Sequence, residues 1–567
     1  MSLARQWALA ALLFAIVGIA VLGLRPLVPP DEPRYGIIAA QMAESGEWFS
    51  LRMADFRYYE KPPLSYWLMA VSIKVFGESA FAIRLPAALA TGVTALVAGL
   101  LCARMTNRRE LGPLAFAVQA TMLGPAIIGT VAIIDPLFAM WITLSLASVW
   151  VGLTSTGRAR ALSLTTAGAT AGLAFLTKGL LGLAIPAIAV ASFLVWERRW
   201  RELIVLPWLP LIACLLVVAP FAVAIHRAEP EFWRYFIEVE HWRRFASPDS
   251  NQHREAWWHL IAALPIGGFM WTLVWWQAWR GARDIPNSRA WVRFALAWVL
   301  APLVVLSLSS GKIATYILPL YAPVAILVAA GLLHARERGL IQAGLGSRIG
   351  RWILRVLALC ALVLACVGTE WMGLSTLWAS GAQLRWVAVA AALIAWAMVD
   401  RASWRAPDAS GWLRRSAWAP IGIMVVVPLL FPTAGIRTSA APWQVLGEHR
   451  EAIAQSQCVM TGSQMAHCVS WITRRRDLTI VGYPSEFDNE LGRADEASRR
   501  LDAAAAGSIV AERRARGESV AVVAQPGDAR AIIKAAGSFP PTLEAVSDDV
   551  AVVIWESKSM SKSSEQP

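Results

Sequence analysis

Five ionisable side chains stand where this apolar sequence has few others nearby: Asp31, Lys61, Asp135, Lys178 and Lys312. Asp135 is the single charge between the apolar stretches 111–134 and 136–157. Lys178 is alone in the same way between 161–177 and 179–196, and Lys312 between 294–311 and 313–333. Lys61 sits in Tyr58-Tyr59-Glu60-Lys61-Pro62-Pro63, and Asp31 opens Asp31-Glu32-Pro33-Arg34-Tyr35. An ammonium is a compact point charge suited to phosphate, and Gly179 and Gly311 let backbone approach a ligand beside two of the lysines. One lysine snorkelling from each tight turn to water is the plainer alternative. Three lysines on one face, with an aspartate beside them, favour an anion site. A solvated cap on the next helix would explain where Asp31 and Glu32 stand, but not their crowding with Lys61 and Asp135.

The elements that must position these residues are membrane spans. The chain has 567 residues, 57% hydrophobic and 16% charged, with 29 tryptophans and 39 glycines. That composition excludes a water-soluble enzyme, a disordered chain and a disulfide scaffold. Stretches long enough to cross a bilayer fall at 6–24, 85–103, 111–134, 136–157, 161–177, 179–196, 203–225, 257–279, 294–311, 313–333, 352–372, 384–399 and 416–436, about thirteen in all. The first lacks a small-residue cleavage site and reads as an anchor. Seven of the 52 basic residues are lysine, leaving 45 arginines, against 39 acids and a net charge of +13. Arginines cluster in every second connector, so the positive-inside rule makes those loops and the N-terminus cytoplasmic. The excess charge is therefore topological, and no nucleic-acid partner is implied. An odd span count places the C-terminus outside.

Two long loops, 26–84 and 226–256, then lie on the outer side, the first with a short aromatic stretch, Leu64–Phe76, that reads as an interfacial or re-entrant helix. Residues 1–436 form the membrane part. From 437 to 556 the composition becomes that of a soluble domain, with strand-like runs (Cys458–Met460, Leu478–Val481, Ser519–Val523, Val550–Trp555) alternating with Ala-rich helical ones. The prediction is a small α/β domain outside the membrane, followed by a disordered Ser/Lys-rich tail at 557–567. Cys458 and Cys468 are the cysteines of that domain, and an oxidising compartment permits a disulfide between them. Glu60, His253 and His467 are the residues that could meet on the outer face to hold a structural zinc. Isolated histidines are more often surface or core residues. The sequence lacks a P-loop, a GxSxG elbow, an HExxH pair and an Asp-x-Asp motif, so cytoplasmic ATP or a nucleotide sugar is not the expected substrate.

The acidic pair after the first span, Glu60-Lys61-Pro62-Pro63, Asp135-Pro136, Thr177-Lys178-Gly179 and Gly311-Lys312-Ile313-Ala314-Thr315-Tyr316 together resemble the lipid A aminoarabinose transferase family, ArnT. That family belongs to the C-type, polyprenyl-phosphate-dependent glycosyltransferases related to protein O-mannosyltransferases. Phe232-Trp233-Arg234-Tyr235-Phe236 with Glu240-His241 and Arg244-Phe245 is also similar to it. The resemblance covers roughly residues 6–335 by motif and the remainder by plan. It implies a multi-pass bacterial inner-membrane enzyme moving 4-amino-4-deoxy-L-arabinose from undecaprenyl phosphate to a lipid A phosphate at the periplasmic face, with no cofactor required. Such a change of lipopolysaccharide charge gives resistance to polymyxin and other cationic peptides. It implies Asp31, Asp135 and Lys61 as catalytic, and Glu32, Arg34, Tyr35, Tyr58, Lys178, Lys312 and Tyr316 as substrate-binding. Glu60, His253 and His467 look like a metal site found in part of the family. The competing readings are a relative using a hexosamine, mannose or another acceptor, and a flippase for lipid-linked sugar. Charges gathered at one face beside large outer loops, instead of at mid-membrane, favour the enzyme.

Overall fold

The computed structural model describes residues 25–243, 254–269, 271–309, 311–339, 345–367, 383–406, 443–482, 499–546 and 550–557, with Trp7, residues 18, 19 and 21–23, Trp412 and Phe487 besides. Most of the first expected span, all of 416–436, His253 and the tail beyond residue 557 lie outside the described residues. Among the described residues, six helices are long and apolar enough to cross a membrane, or seven if one pair bent by 92° is a single span.

The chain runs α1 (Asp31–Ser45), a hairpin of β1 (Arg52–Met53) and β2 (Phe56–Arg57), α2 (Leu64–Phe76), α3 (Ala80–Thr106), α4 (Leu111–Thr121), α5 (Leu123–Ile128), α6 (Asp135–Leu153), α7 (Gly157–Lys178) and α8 (Leu181–Trp196). Next come α9 (Trp208–Ala228), α10 (Arg289–Leu308) and α11 (Tyr321–Glu337). Burial sorts these helices. The Ala314–Glu337 segment is 89% buried in its most apolar stretch, whereas Trp200–Ala228 is 22% buried. An all-round apolar helix with Leu215, Leu216 and Val223 exposed is what lipid contact requires. The central α11 is approached closely because it carries Gly331. A Cβ there would stand 1.9 Å from the Ala278 carbonyl oxygen, so only a small residue permits the packing.

The expected stretch 111–134 is not one continuous helix but two short helices followed by a turn. The chain breaks at Met122, whose ψ of 137° is extended. Pro125 explains the break, since its ring would clash with the Thr121 carbonyl and its nitrogen cannot donate. The stretch 313–333 opens as a 3-10 segment, Ala314–Leu320, with Pro319 inside it, before α11 begins.

Beyond α12 (Leu345–Val367) and α13 (Gln383–Trp404), which pack through Leu354, Ala358, Trp386 and Leu393, the chain builds a six-stranded sheet. Its elements are β3 (Cys458–Gly462), α14 (Ser463–Thr473), β4 (Thr479–Val481), β5 (Arg500–Leu501), α15 (Ala503–Ala515), β6 (Val520–Ala524), α16 (Pro526–Ala535), β7 (Leu543–Val546) and β8 (Ala551–Trp555). The order is β5-β4-β3-β6-β8-β7, with β3, β4, β5 and β6 parallel and β8 antiparallel to both its neighbours, β6 and β7. Strands buried on both faces read as continuous apolar runs. One face packs with α15 and α16 through Met460, Val522 and Val553. The other joins Val459, Ala521 and Val523 to Met465 and Cys468 of α14 and to Ile37 and Ile38 of α1 in a single core. This two-faced sheet overturns the expected disulfide: Cys458 and Cys468 are both thiols. Cys458 packs on the α15–α16 face and Cys468 on the α14 face, so the sheet lies between them.

Candidate active site

Pro29-Pro30 end the approach to α1, and Asp31 and Glu32 occupy its first turn, where carboxylates complement the helix dipole. The two acids then diverge. Glu32 is fully buried, and its oxygens accept from Arg84 Nε (2.7 Å), Arg84 Nη2 (2.6 Å), Arg25 Nη1 (2.9 Å), the Val28 amide (2.7 Å) and the Ala132 amide (2.7 Å). Five donors occupy a carboxylate with about four lone-pair sites. Burial opposes the charge, but the Arg84 hydrogen bonds and charge, then Arg25, outweigh it and hold the carboxyl below its usual range. Glu32 thus ties α1 to α3 and to the turn before α6, and presents no free oxygen to a sugar. Asp31 is half-exposed and accepts from Arg34.

Around Asp31 lies a buried phenol cluster. The Tyr66 hydroxyl is 3.3 Å from that of Tyr58, which is 3.4 Å from Glu60 Oε2, and Tyr35 packs edge-on to Tyr66. Burial, then Asp31, with a smaller push from Asp135, raises the Tyr35 phenol well above its ordinary range. Burial works against charge on Arg34, yet the acidic groups around it, with Asp31 and Glu60 the carboxylates among them, hold the guanidinium protonated.

Asp135 and Lys178 meet because α6 and α7 are an antiparallel hairpin of 19 and 22 residues. The first residue of one is therefore level with the last of the other. Each charge also suits its helix end, the acid at an N-terminus and the lysine at a C-terminus. The Lys178 ammonium donates to Asp135 and lies 4.1 Å from the centre of the Tyr316 ring, a cation–π contact. Four residues before Tyr316, Lys312 is 3% exposed and donates to the carbonyls of Ser307 (2.8 Å), Glu255 (3.2 Å) and Ala256 (3.4 Å). Lys61 donates to Glu240 (2.7 Å) and to the Glu60 carbonyl (3.2 Å). Glu240 lies in the segment Tyr235–Arg243, whose Phe236 packs on Phe175 of α7. The two loops are pinned by Glu229, which accepts from Ser50 and Tyr59 (both 2.6 Å) with Arg52 at 3.4 Å. A cavity of about 620 Å³ elsewhere, lined by Glu448, His449, Arg450 and Ser519, includes none of these site residues.

The family profile of dolichyl-phosphate-mannose-protein mannosyltransferases matches residues 5–236, and that of the arabinosyl transferase ArnT C-terminal domain matches 437–555. The undecaprenyl phosphate-alpha-4-amino-4-deoxy-L-arabinose arabinosyl transferase of an Enterobacter species is 31% identical over 488 residues, 85% of this chain and 87% of its own. The chain belongs to the ArnT arabinosyl transferase family. The Pseudomonas aeruginosa member is 32% identical, covering 88% of this chain and 89% of its own. The crystal structure of ArnT from Cupriavidus metallidurans bound to undecaprenyl phosphate has a TM-score of 0.80 at 22% identity, covering 96% of this chain and 97% of that one. The shared architecture is the C-type glycosyltransferase membrane fold.

In this ArnT-family chain the structure brings Asp31, Arg34, Tyr35, Tyr58 and Glu60 together, and Asp135, Lys178 and Tyr316 together. His467, named for zinc, is fully buried in α14 and stacks on Phe487. Among the described residues, no three of His, Cys, Asp and Glu converge as a metal would need, and His253 lies outside them. Sequence reasoning missed Arg84, Arg25 and Glu229. A signal existed for the arginines: both flank expected spans on the side where the positive-inside rule makes arginine scarce.

Proposed function

We propose that this chain transfers 4-amino-4-deoxy-L-arabinose from undecaprenyl phosphate to a lipid A phosphate at the periplasmic face of the bacterial inner membrane. The observation that carries this reading is the pairing of half-used acids with cations at one end of the helices: Asp31 with Arg34, and Asp135 with Lys178 beside Tyr316. Kinship of about 30% identity to arabinosyl transferases over most of the chain supports the sugar and the donor. An oxygen of the acceptor phosphate attacks the sugar's anomeric carbon. The carbon–oxygen bond to undecaprenyl phosphate breaks, and its electron pair stays on that phosphate. Lys178 and Lys61 stabilise the charge that the leaving phosphate gains in a water-poor site, while Lys312, whose three protons go to backbone carbonyls, adds only the field of its charge. Asp31 and Asp135 orient the sugar and stabilise its oxocarbenium-like centre or its amine. The acceptor is already ionised at neutral pH, so a strong general base is unnecessary. One phosphate ester replaces another, so the step needs no nucleotide.

The same reading places the N-terminus in the cytoplasm and assigns about thirteen spans to residues 1–436. The sheet domain of 437–556 then stands in the periplasm. Mass spectrometry of lipid A from cells with and without the protein is the direct test. The expected result is a pentosamine on a phosphate in cells that carry it. A hexosamine in its place would transfer the assignment to another sugar, and unchanged lipid A would overturn it.

A further inference from the structure

The sheet domain grips the segment that carries Asp31 and Arg34 at four places. Trp443 Nε1 donates to the Leu27 carbonyl (3.0 Å), four residues before Asp31. Trp471 of α14 lies so close to α1 that a Cβ on Gly36 would stand 2.7 Å from its ring. Arg476 donates to Glu44 at the end of α1 (3.0 Å) and pairs with Glu78 at 3.6 Å, just before α3. Arg499 donates to the Ala54 carbonyl (2.9 Å) and lies 3.7 Å from the Phe56 ring centre. Ala54 and Asp55 form the hairpin turn with φ of 50° and 66°, a conformation that disfavours side-chain-bearing residues and needs outside support. These contacts bracket Asp31, Arg34 and Tyr35 from both directions. From the other side, α1 is held by Glu32 on Arg84.

We infer that the C-terminal sheet domain is a positioning element of the transfer site, with Trp471 and Arg476 setting the depth and tilt of α1 and so the placement of Asp31 and Arg34. This rests on the transfer reading above. Gly36 is the sequence counterpart of the device: five residues after Asp31, it lets the indole sit against the helix backbone. Small displacements of a reacting group are costly, about 100-fold for roughly 1 Å, so a domain remote from the chemistry can still govern its rate.

The test uses the full-length protein in lipid vesicles, with undecaprenyl phosphate-linked aminoarabinose as donor and lipid A as acceptor. Gly36→Ala favours helix but drives a methyl into Trp471, so kcat should fall roughly 10- to 100-fold with donor KM within about 2-fold. Trp471→Phe removes the offending part of the ring. Adding it to Gly36→Ala should recover at least about 5-fold of that loss, although Ile83 at 3.2 Å limits full rescue. Wild-type kcat in Gly36→Ala, or losses that simply add in the double variant, would overturn the proposal. Should Gly36→Ala not accumulate in membranes, Arg476→Gln carries the test: a lower kcat at unchanged KM supports it, and an unchanged kcat overturns it. A wild-type protein that transfers no aminoarabinose would instead defeat the transfer reading. Positioning is then read from amide exchange, which Arg476→Gln should speed about 10-fold in Asp31–Ser45 but not in α6 or α7. Unchanged exchange in α1 would overturn it.

Discussion

Asp31 and Glu32 are neighbours in sequence and opposites in use. Glu32 is sealed in the protein with five donors on two oxygens, whereas Asp31 is half-exposed with Arg34 beside it. The region around Glu32 spends all its hydrogen-bonding capacity on holding α1, α3 and the turn before α6. The region around Asp31, Asp135 and Lys178 keeps its charges in simple pairs that a sugar or a phosphate can join. Charge type alone therefore does not separate an anchor from a working group. The count of donors around it does.

The largest effect should come from breaking the anchor. Glu32→Ala leaves Arg84 and Arg25 buried without their counter-charge, a loss of about 3–5 kcal/mol of fold stability. It should appear as a lower membrane level and a lower melting temperature. Normal levels and melting would erase the distinction between the two acids. Asp31→Asn should leave membrane levels normal and cut transfer by about 10²–10³-fold, the scale of losing one electrostatic stabiliser. Lys178→Ala should cut transfer on the same scale and also lower the melting temperature, because it leaves buried Asp135 without its counter-charge. Wild-type turnover in either would remove that residue from the proposed chemistry. A smaller effect is expected at Tyr316: Tyr316→Leu should cost roughly 10-fold, about 1–2 kcal/mol of cation–π contact with Lys178, and Tyr316→Phe much less. Equal losses in the two variants would show that the ring face is not what matters.

The smallest effect concerns Glu229. Burial opposes its charge, but hydrogen bonds from Ser50 and Tyr59, with Arg52 and Arg57, hold its carboxyl below the ordinary value of 4.5. A depressed folded pKa adds stability that is complete above the unfolded value and drains away as pH falls through the folded one. Glu229→Gln should thus melt lower than wild type at neutral pH, with the gap narrowing as pH drops below 4.5. A gap that stays constant across that range would assign the loss to shape instead of charge. The melting curves are to be recorded in detergent from neutral to acidic pH.

That Asp135 and Lys178 fall on one face was legible before any coordinates, because each is the single charge at a turn between apolar stretches on the same side; that they pair directly was not. The Leu64–Phe76 helix and the apolar runs that became β3, β4, β6 and β8 were legible from periodicity and length. The break at Met122 was not, since an apolar run reads the same whether its helix is continuous or broken, although Pro125 hinted at it. The cysteine pair misled because separation along the chain says nothing about which face of a sheet a side chain takes.

The sequence by itself determined that the chain is a membrane protein, where its isolated charges fall, and which helix ends carry them. Those follow from hydropathy and from rules local in the chain. Only the tertiary structure decided that Glu32 is spent on Arg84, 52 residues away, that Lys61 finds Glu240 across 179 residues, and that a distant sheet domain presses Trp471 onto Gly36. Such contacts depend on which elements pack together, and no local pattern encodes that choice.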